Sequence, residues 1–339
     1  MRTREKPMAV VFPEIGKITF QETEIPDAGP EDVLIDVEYT TISNGTERWC
    51  LTGNLTVPDK PPLAFPHVPG YQAGGVIRAA GERVKGLRPG GRVFSRNCTA
   101  PSGWRGSWWG GHTSIHVARA ESVIPLPERV STREASALLV AQVGFNGASK
   151  PHVSEGYVAA VIGEGLVGQY AAQTLRSRGV YVVMAGLSER RLEIAARYSA
   201  DEVFDNRNGD FSHYILEKFP EGVDIAVETA SKSRTVQMAI DLLRPEGQLV
   251  LNGFYPPPEH LLDWHWLRTK ELTVHCPNSR TRDRLERTLR LIEQGHIRTD
   301  ELDTHEFPAE KAEEAYRMLL DPDAEFLGIV LRWKNDDCG

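Results

Sequence analysis

The feature that most constrains this chain is a run of alternating strand and helix patterns between residues 157 and 252, opened by a glycine-rich turn. Residues 157–162, 180–185, 203–204, 223–228 and 248–252 form short apolar stretches, and helical patterns over 166–178, 189–198 and 235–243 fall between them. Near-continuous apolar strands between amphipathic helices predict a parallel sheet covered on both faces, which binds ligands at the carboxyl ends of its strands. The turn reads Gly163-Glu164-Gly165-Leu166-Val167-Gly168. It follows an apolar strand and opens a helix, the context in which G-x-G-x-x-G cradles a dinucleotide. Gly163 permits the tight turn, Gly165 leaves room for the pyrophosphate, and Gly168 lets the helix pack on its strand. The helix start at Leu166 and Val167 offers free N–H groups and a positive dipole end to the phosphates. A plain tight strand–helix connection is the alternative, and the alternation around the turn argues against it.

The end of the next strand reports on the adenosine ribose. An acid about 20 residues on holds the ribose 2′-hydroxyl of NAD(H). Here the strand ends Met184-Ala185-Gly186, followed by Leu187-Ser188-Glu189-Arg190-Arg191. With glycine in the acid's place, Ser188, Arg190 and Arg191 are candidates for a 2′-phosphate, and NADP(H) is expected ahead of NAD(H). The arginines also read as solvated helix residues, with Glu189 partly offsetting them. Thr229, Gly253 and Phe254, just beyond two further strands of the pattern, complete the expected cofactor set.

The first 130 residues have a different texture. Short strands at 8–12, 33–37, 74–77 and 92–94 are broken by Gly and Pro, which suggests a compact β-rich barrel. An Ala- and Leu-rich helix over 135–148 leads into the alternating region. After a strand at 272–275 come helices over 282–294 and 309–320 and a last strand at 329–333. A chain of 339 residues exceeds one small core, so two domains are expected. A net charge of -8 excludes a general nucleic-acid binder, which needs a basic surface to displace counterions. No apolar run reaches the length of a membrane span, and the apolar stretch after Pro7 is too short for a signal segment. The cysteines, Cys50, Cys98, Cys276 and Cys338, form no C-x-x-C pair, so reduced thiols in a cytoplasmic protein are expected and a structural zinc cluster is not.

Several motifs stand in a fixed order along the chain: Asn44-Gly45-Thr46-Glu47, Pro69-Gly70-Tyr71-Gln72-Ala73-Gly74-Gly75-Val76, Gly90-Gly91-Arg92-Val93, Gly110-Gly111-His112-Thr113-Ser114, Pro125-Leu126-Pro127, the glycine turn, Leu243-Arg244-Pro245-Glu246-Gly247 and Thr304-His305-Glu306-Phe307. As an ordered set they resemble the medium-chain dehydrogenase/reductase family over nearly the whole length. Gly45-Thr46-Glu47, the Pro-Gly-Tyr segment and Asn252-Gly253-Phe254-Tyr255 look most like its bacteriochlorophyllide dehydrogenase branch. The resemblance implies an α/β protein with a GroES-like β-barrel catalytic domain over 1–135 and a Rossmann doubly wound parallel sheet over 136–277. A C-terminal segment, 278–339, would return to the first domain. It also implies a small-molecule substrate, no nucleic-acid or membrane partner, and a homodimer paired through the strand at 272–274.

The resemblance also locates a missing metal. Zinc members carry Cys where this chain has Asn44, His where it has Tyr71, and Cys or Glu near Leu139. Asn, Tyr and Leu are not a zinc donor set, which needs thiolate, imidazole or carboxylate. Zinc-independent chemistry is therefore expected, with hydrogen-bond donors polarising the substrate oxygen, each worth on the order of 3 kcal/mol in a dry site. Tyr71 is the candidate general acid/base, Thr46 the relay hydroxyl and Asn44 a donor to the substrate oxygen. Glu47 is placed beside the substrate as support. Trp104, Trp108, Trp109 and Tyr255 are candidate walls for a ring-bearing substrate, and packing is the alternative for the tryptophans. The expected reaction exchanges a hydride between a secondary alcohol or ketone and NADP(H). The rivals are reduction of a C=C bond, as in enoyl and quinone reductases, and a non-catalytic dinucleotide sensor.

Overall fold

The structure is a computed structural model that describes residues 6–56, 63–96, 109–255, 264–278 and 280–334. The chain forms two compact units, one from residues 1–139 and 303–339, the other from 140–302.

In the first unit the strands are β1 (Met8–Val11), β2 (Thr19–Glu22), β3 (Asp32–Thr41), β4 (Gln72–Ala80), β5 (Arg92–Arg96), β6 (Ile115–Arg119) and β7 (Val123–Pro125), with helix α1 (Asn44–Leu51) between β3 and β4. The chain then runs through α2 (Thr132–Ser136) and α3 (Leu138–Ala148). The single helix expected over 135–148 is thus two, broken at Ala137. The first begins earlier, because Ser131 and Glu134 form a reciprocal capping box.

The second unit holds β8 (Val158–Ile162), α4 (Leu166–Ser177), β9 (Tyr181–Gly186), α5 (Glu189–Tyr198), β10 (Glu202–Asp205), α6 (Phe211–Lys218), β11 (Val223–Glu228), α7 (Ser233–Leu242), β12 (Leu243–Leu251), α8 (Trp264–Thr269), β13 (Thr273–His275) and α9 (Arg282–Glu293). Back in the first unit follow β14 (Asp303–Pro308), α10 (Ala312–Leu320) and β15 (Gly328–Arg332). The sequence alone puts the return at residue 278, whereas in the structure it comes at Asp303. Residues 278–302 stay with the second unit, where Gln173 accepts the N–H of Arg298 at 2.9 Å and Asn146 donates to the carbonyl of Asn278.

The second unit's sheet is parallel throughout, in the order β10-β9-β8-β11-β12-β13. Counted from β8 this is 3-2-1-4-5-6, the doubly wound order, whose switch point lies between β8 and β11. Alternate residues of β8 explain the sandwich. Ala159 and Val161 join one buried cluster with Ala171, Ala172 and Leu175 of α4, while Ala160 and Ile162 join another with Phe211, Ile215, Val236 and Ile240 of α6 and α7. Both faces are apolar, so both must be covered.

The first unit is built on a mainly antiparallel sheet, β14-β15-β3-β4-β5-β7, with β6 also on β3 and only β14–β15 parallel. Val33, Ile35, Ile77 and Val93 fill one core, and Phe12, Ile42, Leu51, Tyr316 and Leu331 fill another. Helix α1 packs there against α10, and Arg48 donates to the carbonyl of Leu319. Among the described residues no helix is long and apolar enough to cross a membrane.

Candidate active site

In the second unit the site begins where β8 stops. At Gly163 φ is 110°, a backbone region that favours glycine, and a Cβ there would lie 2.5 Å from Thr229 Oγ1. At Gly168 a Cβ would lie 1.9 Å from the carbonyl oxygen of Gly163, so helix and turn touch backbone to backbone. Gly165 differs: a Cβ there meets nothing within 4 Å. It is the N-cap of α4 and has no side chain to cap the helix. The first α-helical bond of α4 runs from Gln169 N–H to the Gly165 carbonyl at 2.9 Å, so the N–H groups of Leu166, Val167 and Gly168 lie ahead of it. An open approach at Gly165 beside these groups is a cradle that fits a pyrophosphate.

The other expected cofactor residues gather at the same carboxyl edge of the sheet. Thr229 follows β11 and donates to the carbonyls of Ile162 and Gly163 at 3.0 and 3.3 Å, bracing the turn from across the switch point. Gly253 and Phe254 follow β12, and Phe254 donates its N–H to Ser231 Oγ at 3.0 Å. Ser188 caps α5 and accepts the N–H of Arg191, while Arg190 and Arg191 lie in the first turn of that helix.

One carboxylate there escaped the sequence reading. Glu228 ends β11 buried, accepting from Ser231 N–H at 2.9 Å, Thr235 Oγ1 at 2.6 Å and the Tyr255 hydroxyl. Burial raises its carboxyl pKa above the ordinary range. Its signal is an acid that closes a strand directly after the apolar run Ile225-Ala226-Val227. Tyr255, expected at the substrate, instead gives its proton to Glu228 and packs against the sheet's core. Burial and then the Glu228 charge raise its pKa.

In the first unit the residues expected to act on the substrate gather at the start of α1. Asn44, Gly45, Thr46 and Glu47 form its first turn, with Ser43 as N-cap. Tyr71 is buried, its ring edge-on to Trp109 with centroids 5.4 Å apart, and its hydroxyl donates to Ser43 Oγ. Asn44 lies in the same turn. Its Nδ2 is committed to the carbonyl of Leu327 at 2.7 Å, and its Oδ1 is buried without a partner. Asn44 therefore presents an unfilled acceptor, with one Nδ2 hydrogen already held by Leu327.

Glu47 is buried with both oxygens engaged. Oε1 accepts the N–H of Ser43 at 2.8 Å, and Oε2 meets His112 Nε2 at 2.9 Å and the Tyr316 hydroxyl. It has no oxygen to spare for a substrate; it holds Ser43, which holds Tyr71. His112 is the buried partner of this carboxylate, with Nδ1 2.8 Å from Thr40 Oγ1. Gln72 bridges Thr41 and the N–H of Leu139. Trp104 and Trp108 lie outside the described residues, as do Cys98, Cys338 and the side chain of Trp264.

These residues do not fit a zinc ion. At the expected ligand positions, Asn44 is a neutral carboxamide, Tyr71 bonds a serine hydroxyl, and Leu139 is an apolar side chain. Among the described residues no cluster of three or more His, Cys, Asp or Glu side chains stands ready to hold a metal.

Comparison with known proteins agrees with the two-part fold. The alcohol dehydrogenase GroES-like domain matches residues 29–128, and the zinc-binding dehydrogenase domain matches residues 167–294. A sorbitol dehydrogenase from Halalkalibacterium halodurans is 26% identical, over 91% of this chain and 94% of that protein. The 2-desacetyl-2-hydroxyethyl bacteriochlorophyllide A dehydrogenase of Rhodobacter capsulatus is 29% identical, over 92% of this chain and 93% of its own. Among solved structures, a putative zinc-binding dehydrogenase from Sinorhizobium meliloti bound to NADP superposes with a TM-score of 0.85 at 20% identity, over 97% of this chain and 100% of that one. The chain belongs to the medium-chain alcohol dehydrogenase-like family, with a GroES-like domain and a Rossmann-type sheet.

Proposed function

We propose that this chain is an oxidoreductase that exchanges a hydride between a nicotinamide dinucleotide and a secondary alcohol or its ketone, in the cytoplasm and without zinc. The observation that carries the proposal is the glycine cradle at the switch point of a 3-2-1-4-5-6 sheet, in a chain of this family. The names of the relatives support a polyol or ring-bearing substrate. The NADP(H) expected from the missing strand-end acid and the NAD(H) named beside it both fit the cradle.

When bound, the dinucleotide supplies the hydride acceptor for alcohol oxidation. In ketone reduction the Tyr71 phenol would give its proton to the substrate oxygen, leaving a phenolate that the adjoining Ser43 hydroxyl steadies; in alcohol oxidation that phenolate would take the proton back, with Thr46 as a second hydroxyl on the same turn. Asn44 Oδ1 accepts from a neighbouring substrate hydroxyl and so orients a polyol. The proposed assembly is a homodimer paired through β13, which among the described residues is the last strand of its sheet, with β12 as its one neighbour. Sedimentation of the purified protein checks that assembly, and a monomer at working concentration removes it.

The test is turnover of both oxidised dinucleotides with sorbitol and a panel of secondary alcohols, and of both reduced ones with paired ketones and enones. Metal content is measured by mass spectrometry. Alcohol or ketone turnover by metal-free protein is expected. Turnover of enones alone replaces the proposal with C=C reduction, and tight nucleotide binding without any exchange replaces it with a sensor. Stoichiometric metal whose removal abolishes turnover ends the zinc-free part.

A further inference from the structure

The strand that should end in the ribose-binding acid ends in Gly186, yet a carboxylate stands there. It comes from the glycine turn. Glu164 Oε1 accepts the N–H groups of Leu187 and Ser188, at 3.2 and 3.1 Å. These are the two residues that follow β9, and Ser188 starts α5. The carboxylate lies so close over the strand end that a Cβ on Gly186 would be 2.6 Å from Glu164 Cδ and Oε2. Glycine at 186 and glutamate at 164 are thus one arrangement, in which the missing side chain of one makes room for the acid of the other. The backbone is held to match. Buried Gln169 donates through Nε2 to the carbonyls of Glu164 and Arg191, both at 3.2 Å, clasping the turn to the first turn of α5. Ser199 donates to Gln169 Oε1 at 2.7 Å, which fixes that amide's orientation.

We propose that Glu164 is the residue that discriminates between the two dinucleotides, supplying from the turn the acid that the strand end lacks, so that the chain favours NAD(H). The proposal rests on the dinucleotide reading of the glycine turn. One carboxylate oxygen caps the two N–H groups, and Oε2, packed over Gly186, is left to accept from the ribose 2′-hydroxyl. A 2′-phosphate carries a charge of about −1.5 to −2 near neutral pH and would meet this carboxylate as a like charge. Near a protein surface such a contact is worth a factor of ten or more in affinity.

The experiment titrates NADH and NADPH separately into wild-type protein, Glu164→Gln and Gly186→Ala, reading nicotinamide fluorescence, with thermal melting to confirm folding. Glutamine keeps an oxygen for the Leu187 and Ser188 N–H groups and removes only the charge. Wild type is expected to bind NADH more tightly, and Glu164→Gln to move the NADH:NADPH affinity ratio at least about tenfold toward NADPH. Gly186→Ala, whose methyl displaces the carboxylate, is expected to move the ratio the same way and serves if Glu164→Gln does not fold. A wild type that prefers NADPH, or a ratio unmoved in the folded variants, overturns the assignment of Glu164 while leaving the dinucleotide site in place. Binding of neither coenzyme by folded wild type removes the dinucleotide reading itself.

Discussion

Tyr71 gives its hydroxyl proton to the hydroxyl of Ser43, the residue that caps α1, while its ring rests edge-on against Trp109. The proposed reaction uses this pair of adjoining hydroxyls as its proton path. Tyr71→Phe keeps the ring packing and removes the oxygen. General acid–base groups contribute about a hundredfold or more, so turnover is expected to fall by at least that factor. Coenzyme affinity, set in the other unit, stays unchanged. Steady-state kinetics beside fluorescence titration separates the two, and unaltered turnover would remove Tyr71 from the chemistry.

How much of this was written in the sequence differs between the units. The sheet of the second unit was legible because its central strands β8, β9 and β11 bury apolar residues on both faces and the helices between them are amphipathic, and the glycine turn falls where that pattern predicts. Helix α1 was not legible. It is eight residues long and opens Asn44-Gly45, a pair that favours turns, and its support comes from Tyr316 and Leu319, far away in sequence. The direction of the Asn44 amide was likewise hidden, because the carbonyl of Leu327 decides it. Gly186 reads as a vacancy in a residue-by-residue comparison, since nothing in linear spacing says that Glu164 folds back over it.

The glycine turn makes a paired prediction. Gly165 has an ordinary φ of -73° and open space beside it, so Gly165→Val is expected to melt close to wild type yet lose nucleotide binding by two orders of magnitude or so, because the side chain occupies the pyrophosphate's approach. Gly168→Ala is expected to do the reverse. Its methyl meets the Gly163 carbonyl, the helix must shift off the strand, and stability falls by about 1–3 kcal/mol. Melting curves and coenzyme titrations on the two variants test the contrast. A Gly165→Val protein that binds normally would refute the cradle.

The buried pair of Glu47 and His112 predicts a stability effect. Removing one member leaves a buried polar atom of the other without its hydrogen-bond partner, and losses of about 1–3 kcal/mol are typical. Glu47→Ala is expected to cost that much and to release the Ser43 N–H and the Tyr316 hydroxyl as well. His112→Phe, which keeps a ring beside Tyr316 and removes the imidazole, should cost less in a Glu47→Leu background than alone, since no buried carboxylate is then stranded. Denaturant midpoints of the singles and the double check this, and full additivity would show that the two side chains do not act as a pair.

His67 sets a pH limit. It is buried between Phe12 and Trp109, with neither ring nitrogen hydrogen-bonded, and burial lowers its pKa to about 4. His116, equally buried, is lowered to about 4 as well. An unfolded chain titrates these groups near 6.5, so between that pH and 4 the unfolded state carries protons that the folded state refuses. Stability contributed by the neutral rings is present above pH 6.5 and is lost as the pH falls. Each histidine removes about 2 kcal/mol between pH 7 and 5. His67→Leu cannot take up that proton and fills much the same space, so its melting temperature should drop less than the wild type's over this interval. If the two proteins lose equal stability between pH 7 and 5, His67 is not held neutral by its surroundings, and the acid sensitivity of the first unit has another source.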